Sequence, residues 1–320
     1  MNQQWARGDA GGDDTPGDVT FAAVIDLPHG LHARPAAAFT TALGPFDVVG
    51  RARNASTHSP WADARSVTGL AGLGLGPGDE IEVALSGPDA DAARAALEAL
   101  IADHFGEAVT PPDAEAGDSG LPIVGPVHRL VPPDLSRYVP GEDEESRLSA
   151  AVDVVGAFWT AHARGPFDAI VRAQQALLLD RHFLAPAYNA VAAGASAPAG
   201  VALAVGQNAL RFERLPAYLR ARAEDVRGLG RLLVLALLEE PLRPALPTTP
   251  YVLVGAELDI ATALGLDADL CGGVITWMGS NQGHGALMCG ELGIPIRTRQ
   301  IAARDLAEGE LVELAADATL

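Results

Sequence analysis

Residues 30–37 read GLHARPAA, and this stretch decides how the first part of the chain folds. The turn-forming Gly30 precedes His32, and small and apolar residues at helical spacing follow through Leu43. Pro35 falls in the first helical turn, where its missing N–H removes no hydrogen bond. The first N–H groups of a helix lack partners, and the helix dipole favours negative charge there. We therefore expect His32 to carry a phosphoryl group at this helix start.

Arg34 strengthens this interpretation, because a guanidinium can form two charge-assisted hydrogen bonds to phosphoryl oxygens. The small residues after it would let another protein approach His32 closely. The alternative for an isolated histidine is a surface residue that only caps a helix. The combination of residues in GLHARPAA favours the phosphoryl site.

A second histidine has a similar setting. His284 lies in SNQGHGALMCGELGIP (residues 280–295), where a glycine precedes it and small residues that begin a helix follow. This pattern predicts a second anion site at a helix N-terminus.

Composition excludes several classes of function. The 320 residues carry a formal net charge of −19, and all 22 basic residues are arginine. Such an acidic chain repels nucleic acid and anionic membrane surfaces. The longest apolar run, residues 232–238, is far shorter than the roughly 20 residues that a membrane span needs, and residues 1–14 lack the apolar core of a signal peptide. We expect a cytoplasmic protein without nucleic-acid or membrane partners, in which Cys271 and Cys289 are buried, reduced thiols.

The order of strand-like and helix-like segments predicts the architecture. The first segment alternates strands and helices as a small α+β open-faced β-sandwich, and the second is an α/β domain that a helical bundle interrupts. Stretches rich in Pro, Gly and acidic residues mark the boundaries between the segments. The expected divisions are a flexible leader (1–18), the sandwich (19–107), a linker (108–119) and the second segment (120–320), whose residues 120–141 and 248–320 form the α/β domain around the helical insert 142–247.

The sandwich resembles HPr, the histidine phosphocarrier of the bacterial phosphotransferase system (PTS), because GLHARPAA matches the active-site motif of that family. The resemblance implies that His32 is phosphorylated on the ring nitrogen facing the helix start and that Arg34 stabilises the transferring group. In ADARSVTGL (residues 62–70), Ser66 stands where many HPr proteins have a regulatory serine. The alternative for Ser66 is a plain N-cap serine.

Residues 120–320 resemble the N-terminal half of Enzyme I of the same system. The strings that carry this resemblance are AYLRARAEDVRGLGRLL (217–233), YVLVGAEL (251–258), GGVIT (272–276) and GHGALMCGELGIP (283–295). The resemblance implies a swivelling phosphohistidine domain in which His284 is phosphorylated and the Thr276 hydroxyl bonds to it. The helical insert would then be the HPr-docking region.

The surroundings of His284 depart from the Enzyme I pattern. Asn281 and Gly290 replace two arginines, and Gly283 and Gly285 replace flanking hydroxyl residues. Losing arginines that bind the phosphoryl oxygens lowers the rate of phosphoryl transfer, because that rate depends on electrostatic stabilisation. Two interpretations of His284 stay open, a working phosphoryl carrier and a degenerate docking module.

An HPr-like module ahead of an Enzyme I fragment resembles the multiphosphoryl transfer subunit of PTS-dependent dihydroxyacetone kinases without its EIIA domain. We expect a phosphotransferase component that relays phosphoryl groups from Enzyme I, through His284 or directly to His32, to an EIIA-type acceptor. The phosphoenolpyruvate-binding barrel of Enzyme I is not expected here, so a separate Enzyme I would phosphorylate this protein. We expect no cofactor and no metal. The alternative is a regulatory HPr protein whose Enzyme I-like region docks on His32 as a cap.

Overall fold

The computed structural model describes residues 19–107, 121–215 and 217–315. The predicted leader (1–18) and linker (108–119) lie outside these residues. We call residues 19–107 the first part and residues 121–315 the second part.

The first part is a four-stranded antiparallel sheet with three helices on one face. Its strands lie in the order β1-β4-β2-β3. Phe39, Leu70 and Leu97 of the three helices are buried against the sheet, whereas Val24 and Val49 are exposed. This is the predicted open-faced sandwich. Its elements are β1 (Val19–Val24), α1 (Ala33–Leu43), β2 (Val49–Asn54), β3 (Ala62–Asp63), α2 (Val67–Ala71), β4 (Glu80–Ser86) and α3 (Ala90–Ala102).

The second part contains a five-stranded sheet in the order β8-β7-β6-β5-β9. Strands β5 to β8 are parallel, and β9 closes one edge in the antiparallel direction. The nearly continuous apolar run of β6 fits a strand that is covered on both faces. The strands and the helices beside them are β5 (Ile123–Arg129), β6 (Tyr251–Gly255), α10 (Ile260–Ala263), β7 (Cys271–Thr276), α11 (His284–Leu292), β8 (Ile296–Arg297) and β9 (Leu311–Leu314).

A bundle of helices is inserted between β5 and β6, although these two strands are direct neighbours in the sheet. Trp159, Phe183 and Leu229 are among its buried residues. The predicted mixed fold class, with a helical bundle interrupting an α/β sheet, is therefore confirmed. The helices are α4 (Glu144–His162), α5 (Asp168–Leu178), α6 (Arg181–Ala192), α7 (Ala197–Glu213), α8 (Ala217–Arg220) and α9 (Arg222–Leu237).

Two further predictions concern thiols and membrane spans. Cys271 and Cys289 are free and buried, as predicted. In the described ranges, no helix combines the length and the apolar composition that crossing a bilayer requires.

Candidate functional site

His32 is the N-cap residue of α1, and its side chain is 3% exposed. Gly30 shapes the turn before it with a φ of +59°, and a Cβ at this position would overlap the Leu75 carbonyl. The Arg34 backbone N–H donates to His32 Nδ1 over 3.4 Å. Because Nδ1 accepts a hydrogen bond, the proton of the neutral ring belongs on Nε2. The Nδ1 lone pair therefore faces the helix start, as a phosphoryl acceptor requires.

A carboxylate, Glu107, faces the other side of this ring. Its Oε2 lies 3.4 Å from His32 Nε2, and its Oε1 lies 2.6 Å from Arg34 Nε. Burial and, to a smaller extent, the positive charge of Arg222 lower the pKa of His32 to about 4, although Glu107 acts in the opposite direction. His32 is therefore neutral at pH 7, so its Nδ1 carries no proton and can act as a nucleophile.

His284 is the first residue of α11 and is 2% exposed. Its Nδ1 lies 2.9 Å from Asp225 Oδ2, and its Nε2 lies 2.6 Å from Arg222 Nη1. An arginine only donates, so Nε2 must accept and Nδ1 must carry the proton that bonds to Asp225. Burial and the charge of Arg222 lower the pKa of His284, although Asp225 opposes them. His284 thus presents Nε2, the opposite nitrogen from that presented by His32.

Arg222 links the two histidines. Its Nη2 donates to the Gln282 backbone carbonyl over 2.7 Å, which fixes the guanidinium beside the start of α11. Its charge lowers the pKa of both His32 and His284, and the charge of Arg34 also reaches His284. The two imidazoles and two arginines therefore form one electrostatic site at the junction of the two parts.

The sequence interpretation missed Arg222, Asp225 and Glu107. Arg222 and Asp225 are a buried charged pair, three residues apart, on the otherwise largely apolar inner face of α9. That pattern is a recognisable signal, since buried charges need a partner or a function. Glu107 has no such local pattern, because only the fold brings it to His32.

The remaining predicted site residue of the second part, Thr276, ends β7 and donates its hydroxyl to the Met278 carbonyl over 2.8 Å. Among the described contacts it has no hydrogen bond to His284. Asn281 accepts a hydrogen bond from the Thr298 hydroxyl, and Gly290 is exposed. Gly285 lies against the Leu258 carbonyl, where a Cβ would overlap it, so a side chain here would displace α11.

Ser66 caps α2 by accepting from the Gly69 N–H over 2.8 Å, and only 1% of its surface is exposed. Its hydroxyl donates to Asp180 Oδ2 in the second part over 2.9 Å. The Thr68 N–H and hydroxyl donate to the same carboxylate oxygen, each over 2.7 Å. Beside it, Arg181 forms an ion pair with Asp63. Polar contacts at the N-cap of α2 thus hold the two parts together.

Comparisons with known proteins find similar sequences and structures. Residues 19–103 match the family described as the PTS HPr component phosphorylation site. The chain is 29% identical over 313 residues to the PEP-dependent dihydroxyacetone kinase phosphoryl donor subunit DhaM of Klebsiella michiganensis, covering 92% of this chain and 65% of that protein. It is 40% identical over 79 residues to the phosphocarrier protein HPr of Cupriavidus necator, covering 24% of this chain and 84% of that protein. The solved N-terminal domain of Enzyme I-Nitrogen aligns with a TM-score of 0.41 at 24% identity, over 60% of this chain and 89% of that one.

An open-faced sandwich with a neutral histidine at a helix N-cap and an arginine two residues later defines the class of histidine phosphocarriers. The chain belongs to the HPr family of the phosphotransferase system, and its HPr domain is fused to an Enzyme I N-terminal-like region. It is homologous to DhaM and spans less than two thirds of the length of the DhaM relative described above.

Proposed function

We propose that this protein relays phosphoryl groups between histidines in the phosphoenolpyruvate-dependent phosphotransferase system. The observation that carries the proposal is the opposite hydrogen bonding of the two buried rings, which assigns opposite tautomers to His284 and His32. His284 presents Nε2 and His32 presents Nδ1, and the charge of Arg222 acts on both rings. Each ring therefore offers one unprotonated nitrogen to a shared phosphoryl group.

The transfer step follows from these tautomers. The Nδ1 lone pair of His32 attacks the phosphorus on His284, the Nε2–P bond breaks, and its electron pair returns to Nε2. Asp225 keeps the proton on His284 Nδ1 throughout, so no proton has to move. The transition state is loose, and catalysis depends on alignment and on charge around the phosphoryl oxygens. Arg222 and Arg34, with the N–H groups at the starts of α1 and α11, supply that charge.

Fusion of the two parts supports the relay. A covalent connection raises the effective concentration of donor and acceptor to about the millimolar range. Residues 19–107 would be the carrier domain, 108–119 the linker, and 142–247 the docking insert within residues 120–320. Transfer within one chain would then be faster than encounter between separate molecules.

The proposal includes a phosphoryl donor and a final acceptor. We propose that a separate Enzyme I charges His284, or His32 directly, in the cytoplasm. His32 then passes the phosphoryl group to an EIIA-type histidine, and the name of DhaM favours dihydroxyacetone phosphorylation as the final use. Phosphorylation of Ser66 would require the two parts to separate first, since Asp180 covers its hydroxyl. A hydrogen bond from Thr276 to His284 would require a rotation of its hydroxyl away from Met278.

A second function is supported by burial. The docked arrangement leaves 3% of His32 and 2% of His284 exposed, so the Enzyme I-like region covers the carrier histidine. A regulatory HPr protein with an autoinhibitory cap would have this arrangement.

One experiment separates the two functions. The full chain and the variants His32→Ala, His284→Ala and Asp180→Ala are incubated with phosphoenolpyruvate and a complete Enzyme I. The relay predicts acid-labile, base-stable phosphate on both histidines of the unmodified chain. The cap function predicts phosphate on His32 alone, with faster charging in Asp180→Ala, where docking is weakened. That second result would overturn the relay.

A further inference from the structure

Glu107 is a buried carboxylate that the transfer step above does not use. It follows a short 3-10 turn (His104–Gly106) after α3, and its side chain is only 12% exposed. Both of its oxygens face the carrier site, Oε1 at 2.6 Å from Arg34 Nε and Oε2 at 3.4 Å from His32 Nε2. Burial alone would raise the pKa of Glu107, but the interactions with His32 and Arg34 bring it below its ordinary value. Glu107 is therefore an anion in the resting site.

The first consequence concerns the His32 ring. An anion beside Nε2 favours the tautomer with its proton there, because the carboxylate accepts and cannot donate. Attack through Nδ1 leaves the ring with a substituent on one nitrogen and a proton on the other, and therefore with a positive charge. Glu107 stabilises that charge and keeps the reactive lone pair on the side of α1.

The second consequence concerns Arg34. Its Nε is already engaged by Glu107 in the unphosphorylated protein. A phosphoryl group on His32 Nδ1 also needs the guanidinium, and two anions at one guanidinium repel each other. Arg34 must therefore divide its charge between Glu107 and the phosphoryl group.

We infer that Glu107 is a positioning residue that fixes His32 as an Nδ1 nucleophile and competes with the phosphoryl group for Arg34. This inference deepens the proposed function and rests on it. A carrier has to release its phosphoryl group as readily as it accepts it. By competing for Arg34, Glu107 weakens the interaction of the guanidinium with the phosphoryl group and keeps phospho-His32 an efficient phosphoryl donor.

The first test needs no phosphoryl transfer. In the full-length Glu107→Gln variant, ¹⁵N NMR of His32 should show a larger fraction of the Nδ1–H tautomer and a lower pKa of the ring, because the carboxylate acts to raise that pKa. The matched control is Glu98→Gln, which removes an exposed carboxylate paired with Arg94 on α3. Unchanged tautomer and pKa in Glu107→Gln would overturn the positioning role.

The second test measures donor strength without any protein partner. Phosphoramidate charges His32 in the full chain carrying His284→Ala, excess reagent is removed, and free imidazole is added. The His32 Nδ1–P bond breaks, an N–P bond to imidazole forms, and the electron pair returns to Nδ1. We expect this transfer to be about tenfold slower in Glu107→Gln, the size of one charge-assisted hydrogen bond. The difference should become smaller on an Arg34→Ala background, where only the effect of Glu107 on the His32 ring is left, and it should be absent in Glu98→Gln.

The outcomes distinguish the two proposals. If phosphoramidate leaves His32 unmodified in every variant, the proposed function fails. If His32 is charged but Glu107→Gln transfers as fast as the parent chain, or if the effect is undiminished without Arg34, only the role of Glu107 fails.

Discussion

Arg222 Nη1 lies 2.6 Å from His284 Nε2, at the nitrogen on which a phosphoryl group would reside. The arginine reaches this position from α9, far along the chain from His284. Asn281 and Gly290 stand where the Enzyme I pattern has arginines, so a charge from another element serves the same histidine. Under the proposed function, Arg222 would therefore supply the positive charge at the phosphoryl group that the residues flanking His284 lack.

Arg222→Gln tests this role of Arg222. We expect transfer between the two histidines to slow by about 10²-fold or more, because the variant removes a positively charged donor that is fixed beside the nitrogen proposed to carry the phosphoryl group. Single-turnover quench measurements of phosphate on His284 and His32 give the rate. Circular dichroism checks folding, since Asp225 loses its buried partner. Arg211→Gln, an exposed arginine on α7, is the control, and equal rates in both variants would exclude a role for Arg222.

Asp225→Asn tests the tautomer of His284. An amide can donate as well as accept, so the ring is no longer held with its proton on Nδ1. The ¹⁵N shifts of His284 should move towards a mixture of tautomers, and charging of His284 should fall by about 10²-fold. A variant that keeps the parent spectrum would show that Asp225 does not select the reactive nitrogen.

Asp180→Ala tests the junction between the two parts. It removes the acceptor of three hydrogen bonds from Ser66 and Thr68 and leaves their donors buried. We expect the docked state to lose about 2 kcal/mol, with faster hydrogen exchange at the Gly69 and Leu70 amides. The control is Asp168→Ala, whose carboxylate pairs with Arg172 within α5. If exchange at α2 changes equally in both variants, Asp180 does not hold the parts together.

Stability should fall in mild acid because of the two buried histidines. Burial lowers the pKa of His32 to about 4 and lowers that of His284, whereas the unfolded chain has ordinary values near 6.5. The unfolded state therefore binds more protons below pH 6.5, and the free energy of unfolding decreases as the pH falls from 6.5 towards 4. Urea denaturation at pH 7 and pH 5 should show a smaller decrease for His32→Gln than for the parent chain. An equal decrease would show that His32 titrates normally in the folded protein.

Glu224 should have the opposite dependence on pH. Burial, with the nearby charges of Glu257 and Asp225, raises its pKa to about 8, although Arg222 and Arg227 act against the shift. The folded state binds the extra proton, so the contribution of Glu224 to the free energy of unfolding should decrease as the pH rises from 4.5 to 8, opposite in sign to the contribution of the histidines. Glu224→Gln should remove this decrease, whereas Glu291→Gln, at an exposed position, should keep it. If the decrease in the free energy of unfolding is lost in both variants, a group other than Glu224 causes it.

The sequence predicts those features that depend on nearby residues. The turn, the small residues and Pro35 define α1, and the predicted helix from Ala33 to Leu43 has the observed limits. The short elements β3, α10 and β8 escape prediction because two to four residues carry too little periodicity. The sequence pattern also predicts a helix over residues 90–105, but α3 ends at Ala102, and Phe105 beyond it takes a positive φ of 57°.

The residues that hydrogen-bond or ion-pair with the two histidines, in contrast, are brought to them by the fold. His32 and His284 were predictable, because each stands at the start of its own helix. The partners that set their tautomers come from elsewhere, Glu107 from the end of the first part and Asp225 from α9. No spacing rule connects such residues, because they are far apart in the sequence and meet only when each part folds.

The linkage position of the phosphate tests the central claim most directly. The parent chain is charged with phosphoenolpyruvate and a complete Enzyme I, and ³¹P and ¹⁵N NMR identify the phosphorylated nitrogen of each ring. We predict Nδ1-linked phosphate on His32 and Nε2-linked phosphate on His284, with movement from His284 to His32 at a rate independent of protein concentration. A single phosphohistidine that forms at the same rate in His284→Ala would contradict the relay.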